Sequence, residues 1–327
     1  MGGPWWLEAP ILAALVVAVG MVARLPLSVW RFRHERSWGF STQTVSGWLG
    51  DKAKGLGIGT VLTGGAMLGL VAVARAFPSW WPVVAGLGAA ALVALLTFVA
   101  PVVLEPVFNR FRPLEDERLA DELRELSVRA RVPVRDVLVA DASRRTRKHN
   151  AYVSGLGRTR RVVLWDTLLE RGRRPELGLV VAHELGHRRL RHVAWGTFVG
   201  MAGAAASIVA LWAALEWGSL REALGVSGAA DPEVVPFAIA FVAALDLLGV
   251  PVWTAMSRHF ERSADRFSLD LTQDPDAYEA VHHGLALANL SDLDPPRLYY
   301  LAFHSHPTSP ERIAAGRAWK SPGRGSV

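Results

Sequence analysis

No cysteine occurs anywhere in the 327 residues. That excludes a disulfide framework and a thiolate site, so any metal ligand must be a histidine or a carboxylate. Lysine is scarce as well, found only at Lys52, Lys54, Lys148 and Lys320, and the net charge of +6 is carried almost wholly by arginine. The arginine preference and the Ala/Gly-rich composition fit a GC-rich bacterial genome. The chain also lacks an internal repeat, a glycine-rich phosphate loop and a recognisable nucleic-acid module, and its only low-complexity segment is the loose tail Ser321–Val327. Nucleotide and nucleic-acid partners therefore have no support. The N-terminus has neither a basic n-region nor a small-residue cleavage site, and its first apolar run is too long and too proline-ended for a removable signal.

What is abundant is apolar sequence. Hydrophobic residues make up 51% of the chain, Trp occurs 13 times, and the mean hydropathy is +0.22. Five stretches reach the roughly 20 residues needed to cross a bilayer: Pro10–Leu27, Gly55–Phe77, Trp80–Leu104, Val193–Trp217 and Val234–Met256. Trp5, Trp6, Trp30, Trp80, Trp81, Trp212, Trp217 and Trp253 fall near their ends, where interfacial anchors belong. Buried helices of a large soluble protein are the competing explanation.

Loop charge sets an expected orientation. Arg31, Arg33, Arg36, Lys52 and Lys54 follow the first span, residues 105–192 are rich in arginine, and Arg258, Arg262, Arg266, Arg297, Arg312 and Arg317 follow the fifth. The intervening turns hold only Arg75, and Arg221 against Glu222, Asp231 and Glu233. Five spans with the N-terminus outside satisfy every loop, and place 105–192 and 257–327 together on the cytoplasmic side.

Within 105–192, Glu115–Arg131 has amphipathic helical periodicity and Val134–Asp141 reads as a strand. Asn150–Ser154 and Arg161–Trp165 flank Gly155-Leu156-Gly157-Arg158-Thr159 as a hairpin. Thr167–Arg171 begins a helical stretch, and Arg174–His192 is a helix carrying His183-Glu184-Leu185-Gly186-His187. Four residues apart on a helix, both imidazoles share one face and reach a single metal ion, with Glu184 beside it as general base. This is the pattern of a zinc metallopeptidase, in which the metal lowers the pKa of a bound water.

A hydrolytic zinc site takes three protein ligands. The extended HExxHxxGxxH pattern fails, because Leu190 stands at the glycine position and Val193 at the third histidine. Glu261 and Asp265, four residues apart after the fifth span, offer a carboxylate ligand and a hydrogen-bond acceptor for a ligand imidazole. By spacing alone they fit salt bridges to Arg258, Arg262 or Arg266 equally well. Asp246 lies mid-span, as either a functional carboxylate or a hydrogen-bond partner for another helix. His192, five residues past His187, falls off the metal face of a continuous helix, and His34, His149, His259, His282 and His283 read as surface or packing residues.

Several ordered segments resemble the type I CAAX prenyl endopeptidases, integral-membrane zinc proteases. They are Leu25–Ser28, His34-Glu35-Arg36 and Gly39–Thr44, then Pro106–Leu114, Ser143–Thr146, Asn150-Ala151-Tyr152 and Val162–Leu169. Phe260–Asp265, Ser305-His306-Pro307 and Glu311-Arg312 complete the set. The resemblance implies an α-helical integral membrane protein of about five transmembrane helices with a small α/β zincin-like domain on the cytoplasmic side. It implies one Zn²⁺ held by His183, His187 and Glu261, with Asp265 supporting a ligand histidine and Glu184 catalytic. His306 and Arg312 would stabilise the oxyanion, and Asn150, Ala151 and Tyr152 would bind substrate as an added strand. Eukaryotic members carry two further N-terminal helices and enclose a large chamber; with five spans the site is expected to be more open or completed by a partner.

The expected domains are 1–104 (three membrane helices and a basic loop), 105–192 (the zincin-like region), 193–256 (two membrane helices) and 257–327 (the third-ligand helix and C-terminal segment). The expected substrate is a peptide or protein, prenylated or membrane-embedded, and the expected location a bacterial inner membrane; the resemblance implies removal of the last three residues of a prenylated tail, whereas a bacterial host favours turnover of misfolded membrane proteins. General quality-control proteolysis of membrane proteins, a non-catalytic zinc-binding scaffold or chaperone, and a transporter are the alternatives.

Overall fold

The structure, a computed structural model, describes residues 3–155, 157–170 and 172–319. Its contacts separate into two compact units: Met1–Gly39 with Gln43–Thr97 and Gly196–Leu248, and Phe40–Thr42 with Phe98–Trp195 and Gly249–Val327.

The first unit is helical. α1 (Trp5–Ser37), α2 (Val45–Ala76) and α3 (Trp81–Val99) come first, and α8 (His192–Leu215), the short α9 (Gly218–Leu224) and the start of α10 (Val235–Thr272) complete it. The Thr44 hydroxyl caps α2, accepting from the Gly47 amide at 3.1 Å, and so satisfies one of the amides a helix start leaves unpaired. Small residues let the helices close up: Ala9 and Ala13 of α1 are fully buried with Val71 and Val235. A second cluster joins Leu70, Ala74, Trp81, Ala85, Leu211 and Ala238. Much of the apolar surface instead faces outward, as at Val19, Val61, Leu87 and Leu248. A soluble protein rarely exposes so much, and a lipid environment accommodates it. Five helices are long and apolar enough to cross a membrane: Trp5–Ser37, Val45–Ala76, Trp81–Phe108, His192–Leu215 and Pro232–Thr272. Asp246 is exposed on α10 and makes no hydrogen bond among the described residues, so the pairing with a neighbouring helix is not found.

The second unit holds a four-stranded sheet of order β1-β2-β4-β3. α3 runs through a π-turn at Ala100–Leu104 into α4 (Glu105–Phe108) and then β1 (Phe111–Pro113), a short edge strand. Pro113 suits an edge, since its missing N–H removes nothing from the interior ladder. After α5 (Glu117–Arg129) comes β2 (Asp136–Ala140), antiparallel to β1 and parallel to β4 (Arg161–Trp165). β3 (Ala151–Ser154) pairs antiparallel with β4, forming the expected hairpin through a turn at Gly157–Thr159; Leu156 lies outside the described residues. Gly155 has φ +80°, and a Cβ there would come within 2.2 Å of the Thr159 carbonyl oxygen, so this turn requires glycine.

α6 (Asp166–Leu169) is shorter than expected, and Arg171 lies outside the described residues. α7 (Arg174–Arg189) has Pro175 in its first turn and His187, Arg188 and Arg189 in its last, both favourable placements. Leu177, Val181 and Leu185 recur on one face and bury against Leu119, Leu123 and Leu126 of α5 and Val162 and Leu164 of β4. That packing fixes the rotation of α7. The helix stops three residues short of His192; Arg191 turns the chain with φ +60°, and His192 opens α8. α10, α11 (Pro275–Asn289), α12 (Arg297–Phe303) and α13 (Ser309–Ala318) complete the unit. The tail Ser321–Val327 lies outside the described residues.

Candidate active site

Two helices bring the key residues together. α7 supplies His183, Glu184 and His187, and α10 supplies Glu261 and Asp265. They approach closely because Gly186 faces Ala264: a Cβ on Gly186 would lie 3.0 Å from Phe267 Cδ1 and 3.3 Å from Ala264 Cα. The His183 and His187 Nε2 atoms are 3.1 Å apart. Each is also 3.4 Å from a Glu261 carboxylate oxygen. Tetrahedral bonds of 2.0–2.1 Å imply donor separations of about 3.3 Å, so the three residues fit a single metal ion. Glu261 Oε2 is buried and makes no hydrogen bond among the described residues, which suits a ligand atom.

The surrounding groups orient both imidazoles. His183 Nδ1 is 2.9 Å from Asp265 Oδ1, and donation to that carboxylate turns Nε2 toward Glu261. Burial opposes protonation of His183, yet the neighbouring Asp265 and Glu261 carboxylates outweigh it and raise its pKa to about 9. Arg312 Nη2 bonds the same Asp265 oxygen, and Nη1 lies 3.7 Å from Glu261 Oε2. On the other side, His187 Nδ1 is 3.0 Å from His192 Nδ1, and His192 Nε2 is 3.1 Å from Ser263 Oγ. One tautomer set satisfies the chain: His187 donates to His192, His192 to Ser263, and Ser263 to the Phe260 carbonyl. The His192 ring also stacks on Phe260 at 4.3 Å.

His183, Glu261, Asp265 and Arg312 border a cavity of about 420 Å³. Glu184 lines it; enclosure there pushes its carboxyl above the usual range, against the pull of His183 and His187. His306 is on the wall too, with Nε2 3.5 Å from Glu261 Oε1 and its side chain 60% exposed. Leu168, Leu179, Val180, Val281 and Leu285 give the cavity an apolar side. His282, read from sequence as surface or packing, is a wall residue 4.0 Å from Asp265; burial lowers its pKa to about 3 and keeps it neutral. His149 borders the cavity as well.

Asn150 and Ala151 line the cavity, whereas Tyr152 does not, donating from its hydroxyl to Glu105 at 3.3 Å. β3 is an edge strand. The Trp165 amide donates to the Asn150 carbonyl, so the backbone groups of Ala151 and Val153 face away from β4. Arg188 of α7 donates to the Val153 carbonyl at 2.7 Å and occupies that end of the edge.

A metallopeptidase embedded in a membrane is the class these features define, and similarity to known proteins agrees. The model for peptidase family M48 matches residues 113–320. A second, described as CAAX prenyl protease N-terminal with five membrane helices, matches residues 4–110. The chain belongs to peptidase family M48. It is 28% identical over 324 residues to an uncharacterized metalloprotease of Bacillus subtilis, YhfN, covering 94% of this chain and 75% of that one. It is 29% identical over 321 residues to CAAX prenyl protease 1 of Saccharomyces cerevisiae, covering 92% and 70%. The crystal structure of Ste24p from S. mikatae superposes with a TM-score of 0.83 at 26% identity, covering 92% of this chain and 74% of that one.

Proposed function

We propose that this chain is a zinc endopeptidase of the CAAX prenyl protease type, with its active site on the cytoplasmic side of a bacterial plasma membrane. The observation that carries the chemistry is the convergence of His183 Nε2, His187 Nε2 and a Glu261 carboxylate beside Glu184. His183, His187 and Glu261 are assigned as ligands of one Zn²⁺, and Asp265 as the acceptor that orients His183. When bound, the ion supplies Lewis-acid polarisation of the scissile carbonyl and acidification of the attacking water. Glu184 accepts the water's proton and returns it to the leaving amine. His306 donates toward the oxyanion, and Arg312, bound to Asp265, adds positive charge behind the carboxylates. The substrate backbone adds to β3 at Ala151, with Asn150 beside it on the cavity wall, where pairing gives affinity with little sequence selectivity. Arg188 at Val153 ends that pairing surface. Residues 105–192 and 257–327 are assigned as the catalytic regions, and 1–104 and 193–256 as the membrane regions.

Two supports come from relatives: the yeast protein is named CAAX prenyl protease 1, and Ste24p shares the fold. The test is mass spectrometry of the products from a farnesylated Cys-a-a-X peptide, with purified protein beside its Glu184→Gln variant. Release of the terminal tripeptide by the parent alone is expected. Scattered Glu184-dependent cuts would replace this reading with general membrane proteolysis. Zinc-replete protein without cleavage of any peptide would sink the enzymatic reading in favour of a scaffold.

A further inference from the structure

α12 carries one of the most exposed apolar surfaces of the second unit. Leu298 is 82% exposed, Tyr299 54%, Leu301 45% and Phe303 55%. Soluble proteins rarely leave such a contiguous apolar surface facing water, and where they do it marks a contact with protein, membrane or ligand. Its other side is fastened by polar bonds to one turn of α10: the Thr254 hydroxyl lies 3.2 Å from the Leu301 and Ala302 carbonyls. Arg258, itself buried, donates to the Tyr300 carbonyl at 3.1 Å, to that of Leu301 at 3.2 Å and to that of His304 at 2.5 Å.

The place of attachment matters. Val234–Met256 is the apolar stretch of α10, and Arg258 and His259 begin its polar continuation. Thr254 and Arg258 therefore bracket the level at which this helix leaves the hydrocarbon. On α10 itself, Val252 and Trp253 are 71% and 47% exposed at that level. Trp and Tyr rings settle at this depth, with an apolar body in the acyl region and a polar edge in the headgroups. A short helix pinned there by its backbone carbonyls must present its outer face to whatever surrounds the end of the span.

We propose that α12 is an interfacial membrane helix, with Leu298, Tyr299, Leu301 and Phe303 inserted among the lipid acyl chains beside the exit of α10. The Arg258 bonds spread a buried positive charge over the carbonyl end of α12, leaving only its apolar side chains to face lipid. Arg297 at its start is placed to meet headgroup phosphates, as basic residues flanking interfacial helices do. Chain continuity gives a consequence. The segment leaving α12 is His304-Ser305-His306, so the His306 wall of the cavity is tethered at the membrane surface. A peptide anchored in the bilayer by a lipid or a membrane helix meets the cavity there.

The lack of native cysteine makes the test direct. Single Leu298→Cys, Leu301→Cys and Phe303→Cys variants of the full chain carry a nitroxide label and are reconstituted into phosphatidylcholine/phosphatidylglycerol vesicles. Their power-saturation EPR with molecular oxygen and with a water-soluble nickel chelate is compared with Glu125→Cys on α5 as the aqueous reference. Zinc content equal to the parent certifies the fold of each variant. We expect oxygen to relax the α12 labels several-fold more effectively than nickel, and the reverse at position 125. Nickel accessibility on α12 equal to that at 125 would show that it faces water, and would overturn the proposal. Exclusion of both relaxants would mean that protein covers the face, a second copy included, and would overturn it equally.

Discussion

The electrostatics of single residues separate metal retention from catalysis. Glu184 lines the cavity outside the His183–His187–Glu261 group that could hold a metal ion, whereas Glu261 is its one carboxylate. Glu184→Gln is therefore expected to keep its zinc, measured by mass spectrometry of the metal, while cleavage falls by about 10²- to 10⁴-fold, the usual contribution of a general base. Glu261→Ala is expected to lose both zinc and cleavage; retention of stoichiometric metal would remove Glu261 from the ligand set. His192 offers a subtler case, because its Nδ1 lies 3.0 Å from His187 Nδ1 while it stands outside the group that could hold a metal. His192→Ala should weaken zinc affinity by roughly 10- to 100-fold, the scale for an outer partner of a ligand histidine. Chelator competition measures this, and His192→Gln, which keeps an acceptor, should recover part of it. Unchanged affinity in His192→Ala would show that the relay carries no orientation energy.

Helices place these residues, and glycines govern how closely the helices meet. α7 and α10 touch through Gly186 and Ala264, where a Cβ already crowds Phe267. Gly186→Val adds branched bulk that backbone movement alone can admit, at a cost of about 1–3 kcal/mol for overpacking. The expected result is a widened His183–Glu261 gap, seen as weaker zinc binding in a protein that still extracts and purifies as a folded species. Zinc affinity equal to the parent's would show that the helix spacing is set elsewhere.

The same packing decides what could be read along the chain. His183, Glu184 and His187 were legible because they share one helical turn, and helix periodicity alone places them together. Glu261 was ambiguous by spacing, since an ExxxD on a basic helix equally suits salt bridges, and family resemblance favoured it. His192 stands outside the group that could hold a metal, as its five-residue spacing implies, but its contact with His187 left no signal in the spacing. Arg191, in the left-handed region, ends that helix and swings His192 back onto His187. His282 reaches the cavity only through the packing of α11, and β1 is three residues with a proline, so neither leaves a local periodic signal.

At the scale of the whole molecule, orientation across the membrane is the property on which substrate access depends. Their arginine and lysine content assigns the loop after α1 and residues 105–192 to one side. The structure supplies an independent link between them. The Arg147 amide donates to the Phe40 carbonyl at 2.9 Å, the Thr42 amide to the Arg145 carbonyl at 3.1 Å, and Ser41 bridges Thr146. Two segments joined by backbone bonds cannot lie on opposite faces of a bilayer, so an odd number of crossings between them is excluded, as α2 and α3 together require. The α8–α10 connection, with Arg221 against Glu222, Asp231 and Glu233, then belongs on the other face. Single Ser37→Cys and Ser219→Cys variants, both at exposed positions, distinguish the two sides. In intact bacterial cells a membrane-impermeant maleimide should label Ser219→Cys at once and Ser37→Cys only after permeabilisation. The opposite pattern would place the cavity outside the cell, where cytoplasmic peptides could not reach it, and would redirect the search for substrates to exported proteins.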